Sequence, residues 1–576
     1  MAWGNIKMPD RALIFGEEKT AKMYADRKKK REEAMIDDEL LLAKLGYKQD
    51  LNRQLSTFSN FAISSGCCSV LSGLLPLWGK TLLTGGTSAS IWGYIIVAIM
   101  TLTIGSSLAE ICSAFPTTGG LYFWTAQLSD SQWVPFMCWI VGYFNWLSLS
   151  VAICAGDLGM AGFLTSAITV VKPEFQTTPA IDYGVFLAII LIHGWMNTLP
   201  VKYTGMINNL SVWWHLMGIL FIVIVGLMLT PNKASASFVF TQTYNGSGLK
   251  SDGYAWLIGL LQAQFTLNGY DTAAHVSEET RSAQRSSPMG IIMAIGTSAV
   301  AGVILMVACA FMIQDFEGQV VNGKIPMAIT QVFLDSTGIG WTMWFLIIIL
   351  VAMYFAGGAV TVGSSRQTYA FARDGAMPFS KWLTKLSDSK VPTNAVWFNI
   401  AFAVILGIPY LFSEVAFETI VSINTIAANI SYFIPIWLRI TMARKRFQRG
   451  PYNMGKFSVP CGIIACAWIL FTSVLFILPT QYPITANNMN FAIAPFAFVI
   501  GLASLVYAFS GRNWFTGPVR NIDTVVVREE DGKVIQETRR IVLLSENDVV
   551  DRHEIGDQDT LISSSPSTPE PKFIRH

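Results

Sequence analysis

The chain has 576 residues, 52% of them hydrophobic and only 14% charged, with a formal net charge of +2. Soluble chains carry about 25% charged residues. The deficit excludes an ordinary soluble globular protein, and a charge this small gives no sign of a nucleic-acid partner.

The basic residues are unevenly placed. Of the 40 Lys and Arg, 12 fall in residues 1–56, nine in 512–576, and 19 in short connections or at helix edges. Between them run long apolar stretches. Roughly 20 such residues cross about 30 Å of hydrocarbon. Every backbone polar group inside lipid needs an internal partner, and the runs are too long for barrel strands. The expected fold class is therefore an all-α polytopic membrane protein.

Residues 1–56 form a polar tail with ten acids against 12 bases, and no cleavable signal peptide is visible. "RKKKREE" reads as a solvated helix face, and "DDELLLAKLGYKQDLNRQLS" as a segment lying on the bilayer or on the protein body. Twelve spans follow, with cores near 57–78, 88–110, 133–160, 183–199, 205–229, 253–275, 289–313, 339–365, 394–412, 415–438, 461–479 and 490–509. The segment 325–336 reads as a short re-entrant or surface helix. Residues 510–576 form a second tail, acidic and ending "SSSPSTPEP", which reads as disordered. A hairpin around Asp531-Gly532 is the competing reading there.

With the N-terminus in the cytosol, cytosolic connections carry 14 basic residues and outer ones five. That bias puts both tails inside. Asn245-Gly-Ser then lies in an outer loop as a candidate glycan acceptor. The eight cysteines lie in or beside spans at spacings that match neither a zinc pair nor a redox motif, so they read as apolar filler. No metal or cofactor is expected.

Two spans are interrupted at corresponding places. The first carries Ser64, Ser65, Gly66, Ser69, Ser72 and Gly73 in mid-membrane; the sixth carries Asn268-Gly269. Gly-interrupted helices in corresponding positions of two halves mark a transporter's solute site. Broken ends offer free amides and carbonyls to a carboxylate and an ammonium. Small residues also serve close helix packing alone. Candidate solute-binding residues are Ser64, Ser65, Gly66, Ser69, Phe265, Asn268, Gly269 and Tyr270. A mid-membrane charge costs at least about 2.5 kcal/mol, so Asp157, Asp271 and Glu418 need partners, water or a proton. Asp271 sits beside the sixth-span interruption, with His275 one turn on. The two are candidates for proton coupling or amine binding. Glu110, Glu278 and Arg366 are gate candidates. His193 and His215 read as hydrogen-bonded core residues. Phe144, Trp146, Phe265 and Tyr270 can supply aromatic faces to a cationic nitrogen.

Four stretches carry a resemblance: "AEICSAFPTTGGLYFWTAQLS" (109–129), "GYDTAAHVSEETRSAQRSSPMGI" (269–291), "SSRQTYAFARDGAMPFSKWL" (364–383) and "RGPYNMGKFS" (449–458). In order and content they resemble the amino acid–polyamine–organocation superfamily over about 48–515. "LGYKQDLNRQLS" and the acid–histidine–SEE pattern are similar to the fungal GABA/choline-type subgroup. The resemblance implies a leucine-transporter-like fold with a five-plus-five inverted repeat, repeat one at about 57–229 and repeat two at about 253–438. Two extra helices follow at about 461–509. It implies secondary active, alternating-access transport of an amino acid or related amine such as GABA, driven by protons, in the plasma membrane or a vacuolar or other internal membrane. Choline, a polyamine or thiamine are alternative substrates, and a non-transporting nutrient sensor is an alternative function. Some relatives carry a coupling lysine in span five; 205–229 contains neither Lys nor Arg. An enzyme would need a nucleophile set or metal cluster, and a channel a repeated filter; neither pattern is present. Oligomeric state is left open.

Overall fold

The computed structural model describes residues 35–129, 132–412, 415–484, 493–519, 524–530 and 533–539. Among the described residues, nine helical segments are long and apolar enough to cross a membrane. The protein is a multi-pass integral membrane protein with an all-helical body, and the strands among the described residues lie in the C-terminal tail.

A short helix, α1, spans 35–44. The first transmembrane run is α2 (Thr57–Cys67), α3 (Val70–Ser88) and α4 (Tyr94–Ala114), which follow with only short interruptions. The first helix ends at Cys67 and Ser69 begins the next: its backbone is extended and its hydroxyl caps the Ser72 amide. Pro116 and Gly119-Gly120 lie in the turn before α5 (Leu121–Leu128), where Gly120 takes φ 53°. Next come α6 (Val134–Val171), α7 (Pro179–Met196), α8 (Val201–Leu229) and α9 (Ala236–Thr241).

The sixth-span region is fragmented. It forms α10 (Asp252–Ile258), α11 (Leu260–Thr266), a non-helical stretch, and α12 (Thr272–His275). Gly269 within the stretch has φ 79°, a left-handed conformation that glycine takes without the clash of a Cβ. The remaining helices are α13 (Ala283–Phe311), α14 (Ala328–Arg373, kinked at Gly338), α15 (Ser380–Leu383), α16 (Thr393–Gly407), α17 (Ala416–Ile440), α18 (Ser458–Leu475) and α19 (Ile493–Phe509). Gly338, at φ 76° and ψ 170°, is not helical, so residues 328–337 form a short helix of their own ahead of the long one, where the segment 325–336 was expected to. In the C-terminal tail, β1 (Thr524–Glu530) pairs antiparallel with β2 (Lys533–Arg539). The hairpin reading of that tail therefore holds over the disordered one for these residues. "SSSPSTPEP" and "RKKKREE" lie outside the described residues.

Small residues bring the two broken helices together. A Cβ on Gly73 would stand 2.8 Å from the Thr266 Cα, and one on Gly66 2.8 Å from the Ala359 Cβ. With no water to expel between helices in lipid, such close approach supplies the packing energy. The apolar outer faces of α8, including Trp213, Met217 and Met228, are exposed, as a lipid-facing surface requires. At the outer loop, the Asn245 amide is engaged by Leu249 O and Asp252, each at 2.9 Å.

Candidate functional site

Two breaks face each other at the centre. The Ser64 hydroxyl donates to Tyr270 O at 2.9 Å, and the Cys68 thiol reaches Asn268 O at 3.2 Å. Asn268 Oδ1 turns back to accept from the Gly269 amide at 2.8 Å and from the Tyr432 hydroxyl at 3.0 Å. Its Nδ2 donates to Asn424 Oδ1 at 3.0 Å, and Asn424 in turn donates to Ser148 O at 2.7 Å. The unwound stretch is thus held by Ser64 of α2, by Cys68 between α2 and α3, and by Asn424 and Tyr432 of α17 rather than left loose. At the start of α3, the amides of Val70 and Leu71 have no intrahelical acceptor.

A cavity opens between these elements. From the breaks it takes Cys67, Ser72, Gly73, Phe265, Asn268 and Gly269; α6 adds Ser148 and Gly156; α14 adds Met353 and Gly357; α17 adds Asn424. No charged side chain lines it. Of the sequence candidates, Phe265, Asn268 and Gly269 face the cavity. Ser64 and Tyr270 stand beside it as a tie between the breaks. Gly66 packs on Ala359, and Ser69 contacts His215 Nε2 at 2.7 Å. Ser65 lies on α2 just before the break, outside the lining. Sequence reading missed Cys67, Asn424 and the α6 and α14 residues, and took Ser72 and Gly73 only as part of the interruption. The interruption beside Cys67 was a usable signal for that one; the other missed residues carry none.

The acids have partners. Asp271 is buried and turned away from the cavity lining. Its Oδ1 accepts from Tyr432 at 2.7 Å; its Oδ2 accepts from Asn145 at 2.8 Å and lies 3.2 Å from His275 Nε2. His275 Nδ1 faces Thr118 O at 3.0 Å; a carbonyl only accepts, so Nδ1 carries a hydrogen. Glu418 pairs with Lys80 at 2.9 Å and Asp157 with His193 at 2.9 Å. Of the aromatic candidates, only Phe265 faces the cavity. Tyr270 packs on Tyr432, Trp146 on Phe402, and Phe144 on Phe496.

Below the sixth-span break the chain is closed by ion pairs. Arg373 forks onto Glu278 at 3.0 and 3.1 Å, and Arg366 Nε meets Glu279 at 3.2 Å; Glu278, Glu279 and Arg366 are buried and the Arg373 side chain is 6% exposed. Losing one member of such a buried pair typically costs about 3–5 kcal/mol, so the face is held firmly until both separate. Glu110, the third gate candidate, lies apart: Arg439 is 3.8 Å away and the Ser458 hydroxyl donates to it.

The N-terminal segment is stitched over this face. Leu55 pairs with the 279–281 backbone at 2.8 and 3.1 Å, Arg53 reaches Thr280 O at 2.6 Å, and Asp38 caps the start of α13 through the Ser282 and Ala283 amides. It therefore lies on the protein body. Tyr47 and Tyr122 both donate to Asp374 Oδ2, at 2.9 and 2.8 Å, while the Val519 amide donates to its Oδ1 at 3.3 Å. Burial pushes the Asp374 carboxyl up to about 6 despite Arg373 and the two hydroxyls. Tyr47 and Val519 meet at one carboxylate, so the two terminal segments approach the same face.

Two unwound helices around a charge-free cavity, shut at one end by buried ion pairs, define a membrane carrier of small solutes. The amino acid permease family model matches residues 55–503. The chain is 36% identical to amino-acid permease BAT1 of Arabidopsis thaliana over 503 residues, covering 85% of this chain and 97% of that one. It is 37% identical to the amino-acid permease BAT1 homolog of Oryza sativa subsp. japonica, covering 84% and 95%. The GABA-specific permease of Saccharomyces cerevisiae is 29% identical, covering 84% and 86%. The chain belongs to the amino acid permease family, within the amino acid–polyamine–organocation superfamily. It is an amino-acid transporter, not an enzyme.

Proposed function

We propose that the chain carries a zwitterionic amino acid together with a proton, by alternating access, with both tails cytosolic. The observation that carries this reading is the cavity lining. A substrate with only cationic charge, such as choline, a polyamine or thiamine, calls for a carboxylate or an aromatic cage. The lining offers no acid and one aromatic, Phe265. It offers helix-break amides, carbonyls, Ser148, Asn268 and Asn424, which suit one negative and one positive end at once. GABA, named for the yeast relative, is such a zwitterion.

The finer architecture belongs to the same proposal: twelve spans, spans 1–5 and 6–10 forming an inverted repeat, and two added helices. Three observations support twelve. Spans one and two lie within a single long segment, Thr57–Ala114; span six is split into pieces; span twelve is a short apolar helix, Phe496–Phe509. The meeting of Tyr47 and Val519 at Asp374 supports an even number of crossings. Asp271 and His275 are proposed to couple the solute site to the cytosolic face through Thr118, rather than to bind the amine, since neither lines the cavity.

The test is counterflow in proteoliposomes loaded with unlabelled solute. Zwitterionic amino acids, GABA included, should compete with a labelled amino acid, while choline, a polyamine and thiamine at hundredfold excess should not. Equal competition by choline or a polyamine would overturn the zwitterion reading, and binding without counterflow would mark a sensor.

A further inference from the structure

We propose that Asp157 on α6 and His193 on α7 form the site that takes up and releases the transported proton. This rests on the proton-coupled reading above and names its site.

Both side chains are fully buried, and Asp157 Oδ1 lies 2.9 Å from His193 Nδ1. The imidazole is oriented by its other nitrogen: Nε2 faces Tyr354 O at 2.9 Å. A carbonyl can only accept, so Nε2 carries a hydrogen. If Nδ1 carried none and Asp157 were ionised, an electron-rich ring nitrogen would stand 2.9 Å from a carboxylate oxygen with no hydrogen between them. One proton therefore resides on the pair, as imidazolium–carboxylate or imidazole–carboxylic acid, and the pair is neutral in either form.

Nothing else holds that charge. Neither oxygen of Asp157 has an aligned hydrogen-bond donor, the His193 contact itself being bent from the ring N–H axis. Asp271 shares a proton with His275 by the same argument, but Tyr432 and Asn145 also donate to it, so its carboxylate keeps two hydrogen bonds if that proton leaves, and Asp157 keeps none. Removing the proton from Asp157–His193 would leave a bare anion in the membrane interior, which is unfavourable until water reaches it. The groups around the pair do not substitute. Cys154 on α6 and Tyr354 on α14 are its titratable neighbours. α3 brings Lys80 and α17 brings Glu418, and these two pair with each other. Further along α17, Tyr432 is bonded to Asp271 and Arg439 is near Glu110. On α14, Arg366 and Arg373 are taken by Glu279 and Glu278, and Tyr369 lies beside Arg373. On α7 itself, Asp182 is bonded to Thr177 and Tyr410, and Tyr183 to Val404 O. α16 carries no titratable residue.

The pair also borders the solute cavity. Gly156, next to Asp157, and Gly357 both line the cavity. A Cβ on Gly357 would land against His193 Cε1 and 2.8 Å from Asp157 Oδ1. Gly357 thus lines the cavity and packs on the pair, with no side chain of its own between them. Opening the cavity to one side thus brings water to both together: one proton binds with each zwitterion on the outer side, and one leaves on the inner side.

The experiment uses proteoliposomes containing a trapped pH dye and an amino acid shown to be transported. In the wild type, adding solute outside should acidify the lumen. D157N, nearly isosteric and untitratable, should keep counterflow within threefold, lose at least tenfold of the solute-driven acidification, and flatten the dependence of uptake on outer pH. If D157N does not reach the membrane, D157N/H193Q keeps an amide pair with no titratable group and should behave the same way. Acidification by these variants equal to wild type would overturn the assignment while leaving proton coupling intact. Wild-type transport without acidification would overturn proton coupling itself, and this site with it.

Discussion

Gly269→Val is expected to lower amino-acid uptake at least tenfold below wild type while the protein still inserts in the membrane. Gly269 sits at φ 79° in the sixth-span break, and even a bare Cβ there would stand 3.1 Å from the Cys67 Cβ. Left-handed backbone costs an L-residue roughly 1–2 kcal/mol, and a β-branched side chain is a genuine outlier there. About 1.4 kcal/mol is a factor of ten. Valine also pushes two methyl groups toward Cys67, the first break's contribution to the cavity. Gly269→Ala adds one methyl and should fall between the two. Uptake is compared with surface abundance from the same cells. Wild-type uptake by Gly269→Val would mean that the sixth-span break lies away from the solute.

Asp271→Asn has the second large effect. The carboxylate accepts from Tyr432, Asn145 and His275. An asparagine keeps one acceptor oxygen and turns an NH2 toward groups that are themselves donors. Hydrogen bonds to charged groups are worth about 1.5–3 kcal/mol, and an unmade one costs the desolvation besides. Saturated rates of uptake and counterflow should therefore fall ten- to a hundredfold. KM should stay within about threefold, because Asp271 does not line the cavity. An unchanged saturated rate with KM raised tenfold or more would instead make Asp271 the amine ligand. Unaltered kinetics would reduce it to a packing residue.

Much of this was readable from the chain. Long base-free apolar runs announce membrane helices because the bilayer leaves few alternatives. "SSGCCS" and "NGYD" announce breaks because serine and glycine weaken a helix where its neighbours are uniformly apolar. The pairings were less visible. Glu278 and Arg373 are 95 residues apart, and only the fold selects Arg373 for Glu278 and Arg366 for Glu279. Asn424 and Gly357 reach the cavity through helix crossing, which leaves no local pattern in α17 or α14. His193 read as a bonded core histidine, and it is one, to Tyr354 O. Its acid partner is 36 residues upstream on another helix, so the pair appears only once α6 and α7 are packed.

The central claim is that solute binds between the two breaks, and Cys67 reports on it directly. It lines the cavity, and of the eight cysteines only Cys67 and Cys461 are not fully buried. Cys461 lies on α18 against Thr103 O, away from the lining, and serves as an internal control. The measurement is the rate at which a small methanethiosulfonate modifies each cysteine in the cold, followed by peptide mass spectrometry, with and without a saturating transported amino acid. The account predicts that solute slows modification of Cys67 at least fivefold and leaves Cys461 unchanged. Equal modification of Cys67 with and without solute would contradict it.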